Sequence, residues 1–205
     1  PHNPQRDREE MSSSGANKDV LFGKKVLVTG GSGYFGRRLI EQLLRAGVSH
    51  VHNFDLSPIE ERKIAEDVRE CFRTRVRSFR GDIREATAVR EAARGTELVF
   101  HIASFGMSGT EMLNRPLVES INTGGTAVLL EVCAELGVRT VVYTSTNNVV
   151  FDTRTPLENV DESYAYPEVE DYLDAYSCTK ALAEKLVIAA NGTRTRTRTR
   201  TRTRT

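Results

Sequence analysis

The chain lacks the marks of metal-binding, disulfide-stapled and membrane-spanning proteins. Its three cysteines, Cys71, Cys133 and Cys178, are an odd number at unrelated spacings, with no CxxC pair and no histidine cluster nearby. No metal site and no disulfide framework is expected, and a reducing, cytoplasmic setting fits best. No apolar run is long enough to span a bilayer, and Pro1 to Lys18 has no signal-peptide core. The tail from Thr193 to Thr205 has six arginines and no acid, and without it the remaining chain is net acidic. That balance argues against a nucleic-acid partner. At 205 residues and 39% hydrophobic content, the chain can bury one sizeable core. Residues 1–22 read as a polar, disordered leader, 23–192 as the folded domain, and 193–205 as a low-complexity Thr-Arg repeat that cannot bury a face.

What is present begins with Val26-Leu27-Val28-Thr29-Gly30-Gly31-Ser32-Gly33-Tyr34-Phe35-Gly36, a short apolar strand joined to a helix through spaced glycines. Gly30 suits a sharp turn, Gly33 lets the backbone approach a ligand, and Gly36 lets the helix pack on the strand. The new helix opens on free N–H groups that suit a phosphate. A helix over Arg37 to Ala46 and a strand over Val51 to Phe54 follow. The strand ends in Asp55, 19 residues beyond Gly36, where a dinucleotide fold sets a carboxylate against the adenosine ribose. A carboxylate there repels a 2′-phosphate, which favours NAD over NADP; the competing role for Asp55 is to cap the turn before Ser57-Pro58.

Ile59 to Phe72 reads as a helical crossover and Arg75 to Arg80 as a third strand. In Gly81-Asp82-Ile83, Asp82 can approach the adenine amino group and Ile83 the ring, or Asp82 can cap a helix over Arg84 to Arg94. The unbroken apolar run Leu98 to Ser104 predicts a strand buried on both faces. Its His101 reads as a structural strand-end histidine rather than a catalyst. A long helix is expected from Pro116 to Leu136. Its adjacent Gly124 and Gly125, beside Asn122, imply a packing or functional reason for two weak helix formers. Val138 to Ser145 is a fifth strand. This alternation predicts an α/β fold with a doubly wound parallel sheet. Ligands then sit at the strands' carboxyl ends, where Gly30, Asp55, Asp82, Ala103 and Thr146 fall.

Tyr172 to Lys185 reads as a helix that sets Tyr176 and Lys180 one turn apart on a shared face. A tyrosine can act as a base near neutrality only if positive charge lowers its pKa from about 10, and a lysine ammonium one turn away is a source of such charge. A hydroxyl at the end of the fifth strand, from Ser145 or Thr146, can hold a substrate oxygen.

These features resemble the extended short-chain dehydrogenase/reductases: TGGSGYFG matches their TGxxGxxG fingerprint and YSCTK their YxxxK. VYTSTNNVVF with YSCTKALAEKLVIAANG is similar, more narrowly, to the 3β-hydroxysteroid dehydrogenase/isomerase type and its 42E branch. The resemblance covers about Gly23 to Gly192. It implies a Rossmann fold and NAD held by Gly30, Gly33, Tyr34, Phe35, Gly36, Asp55, Asp82, Ile83, Ala103, Asn122 and Lys180. It also implies Tyr176 as base, Lys180 as its partner and Thr146 as hydroxyl donor to a steroid-like alcohol or ketone, with isomerase activity in some members. The family's carboxyl-terminal substrate region is missing, so a truncated chain with impaired activity is expected, as is a homodimer through the long helices. The alternatives are a nucleotide-sugar epimerase or dehydratase, which shares this half-domain, and a non-catalytic NAD-binding or protein-interaction module.

Overall fold

The computed structural model describes residues 20–152 and 157–192. Most of the leader and the whole Thr-Arg tail lie outside the described residues.

Five parallel strands form one sheet: β1 (Lys25–Thr29), β2 (His50–Asp55), β3 (Val76–Arg80), β4 (Leu98–His101) and β5 (Thr140–Tyr143), in the spatial order β3-β2-β1-β4-β5. The central strand β1 is apolar at successive positions because both of its faces are covered. On one side Val26 and Val28 meet Ile40, Leu43 and Leu44 of α1 (Tyr34–Arg45). On the other, Leu27 and Val99 meet Val89 of α3 (Ala86–Ala93) and Leu129 and Val132 of α5 (Gly125–Leu136). Each such side chain, fully buried, contributes about 1.5–3 kcal/mol. The expected doubly wound α/β sheet is therefore present, with β1 and β4 side by side at the reversal of strand order. No helix among the described residues is long and apolar enough to cross a membrane.

Several local expectations are corrected. Leu21 packs on the first cluster and the Gly23 N–H donates to the Gly47 carbonyl, so the packed body begins before residue 23. The crossover after β2 is not one helix. It is two single 3₁₀ turns followed by α2 (Arg69–Arg75); of the steps between its buried anchors, Ile59 to Ile64 is five residues, off the helical period, and Ile64 to Val68 is four. Asp82 is not the cap of α3, since Glu85 occupies that position without a side-chain bond. Asp82 instead accepts the Arg84 N–H at 2.9 Å, closing the preceding turn.

The expected long helix from Pro116 is a helical run in three parts: α4 (Arg115–Glu119), a π turn over Ser120–Gly124, and α5. The glycine pair has its reason at Gly125, where a Cβ would overlap Ile83. Asn114 caps the run by accepting the Leu117 N–H. The last helix, α6 (Ala175–Ala190), is capped by Asp174, which accepts both the N–H and the hydroxyl of Ser177 at 2.7 Å. It packs across α4, the π turn and α5, and so reaches the carboxyl ends of β4 and β5.

Candidate active site

The site is built where the strands end. Gly30 follows β1 with φ of +73°, a conformation that side chains rarely adopt, and a Cβ there would lie 2.8 Å from the Ala103 nitrogen. Gly36 sits against the Gly30 carbonyl with no room for a Cβ, which lets α1 start directly on the loop. Gly33, the residue preceding α1, offers no side-chain cap, so the opening N–H groups of the helix keep their capacity for an anion.

A cavity of about 490 Å³ extends from this loop. Gly30, Gly33, Tyr34, Phe35 and Gly36 line it on one side, Asp55 and the Gly81-Asp82-Ile83 turn on another, and Ala103 and Ser104 on a third. The sequence-predicted residues from four strand ends are thus brought to one place. The Tyr34 and Phe35 rings are both exposed there. Asp55 accepts the Ser32 N–H at 3.0 Å through Oδ2 and the Ser57 N–H at 3.4 Å through Oδ1, so it also braces the glycine loop. The turn-capping role and the cavity position coexist. Arg84 beside Asp82 holds that carboxyl below the usual carboxylate range.

Behind the cavity runs a chain of buried hydroxyls and one imidazole. Thr29 meets His101 Nδ1 at 2.7 Å, and His101 Nε2 meets Thr126 at 2.9 Å. Thr126 Oγ1 donates onward to the Asn122 carbonyl at 2.6 Å, and so accepts from Nε2–H. That assigns a neutral ring with its proton on Nε2. Burial, assisted by the charge of Lys180, pushes the His101 pKa down to about 3. The histidine is structural, as expected.

Asn122 is a clamp in the fold. It is only 2% exposed, its Oδ1 accepts the Phe105 N–H at 2.8 Å, and its Nδ2 donates to the Phe105 carbonyl and to Thr179 Oγ1, each at 3.0 Å. The loop after β4 is thereby tied to the tyrosine-bearing helix.

Tyr176 is buried on α6 beside Ser104, which lines the cavity. Burial raises its pKa above the ordinary tyrosine value, and the neighbouring Ser104 opposes that shift. The lowered value anticipated for a base is therefore not a property of the protein alone. Lys180, 2% exposed, points its Nζ at the Thr144 carbonyl at 2.6 Å and lies 4.1 Å from the centroid of the Tyr143 ring. Burial lowers its pKa to about 8, with Glu184 opposing.

Of the two hydroxyls after β5, Ser145 donates to Glu184, which also accepts the Tyr166 hydroxyl at 2.6 Å. Thr146 keeps only long contacts, accepting from the Asn148 N–H at 3.3 Å and donating to Asn147 at 3.4 Å. Sequence reasoning missed Ser104, Thr179 and Glu184. Ser104 was within reach as the residue after Ala103 at a strand end, but the other two are polar positions on a helix without a distinguishing pattern.

The sequence matches the model of the 3-beta hydroxysteroid dehydrogenase/isomerase family over residues 27–204. It is 46% identical over 170 residues to "Short-chain dehydrogenase/reductase family 42E member 1" of Bos taurus, covering 82% of this chain and 40% of that protein. It is 38% identical to "3beta-hydroxysteroid-dehydrogenase/decarboxylase isoform 1" of Arabidopsis thaliana, covering 81% of this chain and 38% of that one. The chain thus spans about 40% of the length of the bovine relative. The fold is similar to the Thermus thermophilus UDP-glucose 4-epimerase in complex with NAD, with a TM-score of 0.66 and 26% identity, covering 80% of this chain and 50% of that structure.

Proposed function

Because the chain belongs to the 3-beta hydroxysteroid dehydrogenase/isomerase family, we propose that it binds NAD and oxidises a secondary alcohol, a 3β-hydroxyl on a steroid-like ring. The observation that carries this reading is continuity: one cavity runs from the glycine loop and Asp55 to Ser104, which stands beside Tyr176.

The residues fit the cofactor. The Gly30 and Gly36 positions leave no room for a Cβ, the α1 N-terminus suits a pyrophosphate, and the Asp55 carboxylate suits ribose hydroxyls while repelling a 2′-phosphate. Ile83 and Ala103 supply apolar walls. When bound, NAD supplies a hydride acceptor and a positive charge at its nicotinamide. Tyr176 takes the hydroxyl proton at its phenolic oxygen. Its raised pKa makes added positive charge a requirement for that role, and Lys180, still mostly protonated at neutrality with a pKa of about 8, stands one helical turn away. Thr146 donates to the substrate oxygen, since the neighbouring Ser145 is committed to Glu184. The epimerase reading shares the cofactor half; the more similar bovine and plant relatives carry dehydrogenase names, which favours the steroid type. Isomerase activity is a further proposal that rests on the family alone.

The test is formation of NADH from a 3β-hydroxysteroid by a version of the protein that carries the family's carboxyl-terminal substrate region, and by its Tyr176→Phe variant. Turnover is expected to fall by roughly 10²–10⁴-fold in the variant with NAD affinity unchanged. Turnover retained in the variant, or none in the unmutated version that binds NAD, would overturn the assignment.

A further inference from the structure

A second cavity, of about 600 Å³, lies under α3 and is lined by Lys25, His52, Arg77, Arg90 and Arg94, with Glu91 as its one carboxylate. The strand register sets His52 between Leu27 of β1 and Arg77 of β3. Lys25 opens β1, whereas Gly30 lies just past its end, so some five residues of strand, or about 16 Å, separate this cavity from the glycine loop.

The charge here is unbalanced. Lys25, Arg77 and Arg94 make no ion pair with another described residue, whereas Arg90 beside them is paired with Glu135. Without the Thr-Arg tail the chain is net acidic, so the cluster runs against the average. The polar centre is also fixed in place. His52 is 6% exposed, its Nδ1 bonds the Ala92 carbonyl, and its ring lies 4.7 Å from that of Phe79. The Arg77 guanidinium stands 4.8 Å over the same Phe79 ring. With Nδ1 donating, Nε2 is left as an acceptor in the neutral ring and becomes a second donor once protonated. Guanidinium forks match phosphoryl oxygens in shape and charge, and a cavity of this size suits a small molecule.

We infer that this cavity is a second ligand site, separate from the cofactor cavity, that takes a compact phosphoryl anion through Lys25, Arg77 and Arg94 with His52 as hydrogen-bonding partner. Burial, together with the charges of Lys25, Arg77 and His50, holds the His52 pKa below its ordinary value, although the Ala92 bond opposes the shift. From α3, Arg90 adds positive charge and Glu91 negative. A bound dianion favours the imidazolium, so binding raises the His52 pKa.

The experiment titrates inorganic pyrophosphate into the full chain at constant ionic strength while following the His52 ring signals by NMR. His52 is remote from the glycine loop, so pyrophosphate held there does not report at this ring. A saturable shift and a rise of about one unit in the His52 pKa are expected. Arg77→Gln with Arg94→Gln, both at exposed positions, is expected to weaken binding at least tenfold and leave the NAD response intact; Lys25→Gln is a second, independent reduction. No saturable shift, an equal response to sodium chloride, or unchanged affinity in these variants would overturn the site.

Discussion

Lys180 donates to the Thr144 carbonyl at 2.6 Å, so the buried cation is anchored to the end of β5 and to the segment that carries Thr146. Lys180→Met keeps the volume and removes both this bond and a costly buried charge, two changes of opposite sign in stability. Unfolding without cofactor is expected to move by less than about 1.5 kcal/mol, while NAD affinity falls roughly tenfold. Thermal unfolding with and without NAD measures both, and an unfolded variant would show that Lys180 serves the fold first.

Asn122 spends three hydrogen bonds joining the loop after β4 to Thr179 on α6. Asn122→Ala leaves the part-buried Phe105 N–H and carbonyl without this partner, while Thr179 keeps its bonds to the Ala175 and Tyr176 carbonyls. The substitution is expected to cost about 3 kcal/mol in urea unfolding. Thr179→Val, which removes one of the three bonds, is expected to cost less. Equal costs would contradict the clamp.

His101 sets a pH dependence. Its folded pKa of about 3 lies below the ordinary value of 6.5, so the unfolded chain binds the extra proton. The corresponding stability is fully present above about pH 6.5 and is lost as pH falls toward 3. At pH 5 the loss from this group is about 2 kcal/mol. Urea midpoints measured from pH 7 to pH 5 in the wild type and in His101→Gln check this: the variant's curve is expected to be flatter, and parallel curves would refute the assignment.

What could be read from the sequence was set by local spacing. The glycine fingerprint, Asp55 at a strand end, and the Tyr176 and Lys180 pair each depend on the geometry of one turn or one helix, and all fall at the sheet's carboxyl edge. The pairings that were missed join distant segments, such as Asn122 with Thr179, 57 residues apart, and Ser145 with Glu184, 39 apart. They arise only when α6 packs across the π turn. The 3₁₀ turns after β2 escaped because charged residues between the anchors imitate a solvated helix face. The clamp role of Asn122 was hidden because its partners lie in other segments, and of the adjacent glycines only Gly125 packs against Ile83.

Calorimetric titration of NAD and of NADP into the wild-type chain and Asp55→Asn tests the cofactor cavity most directly. NAD is expected to bind saturably and at least tenfold more tightly than NADP, with most of that preference lost in the variant. No saturable NAD binding, or equal affinity for the two cofactors in the wild type, would contradict the account.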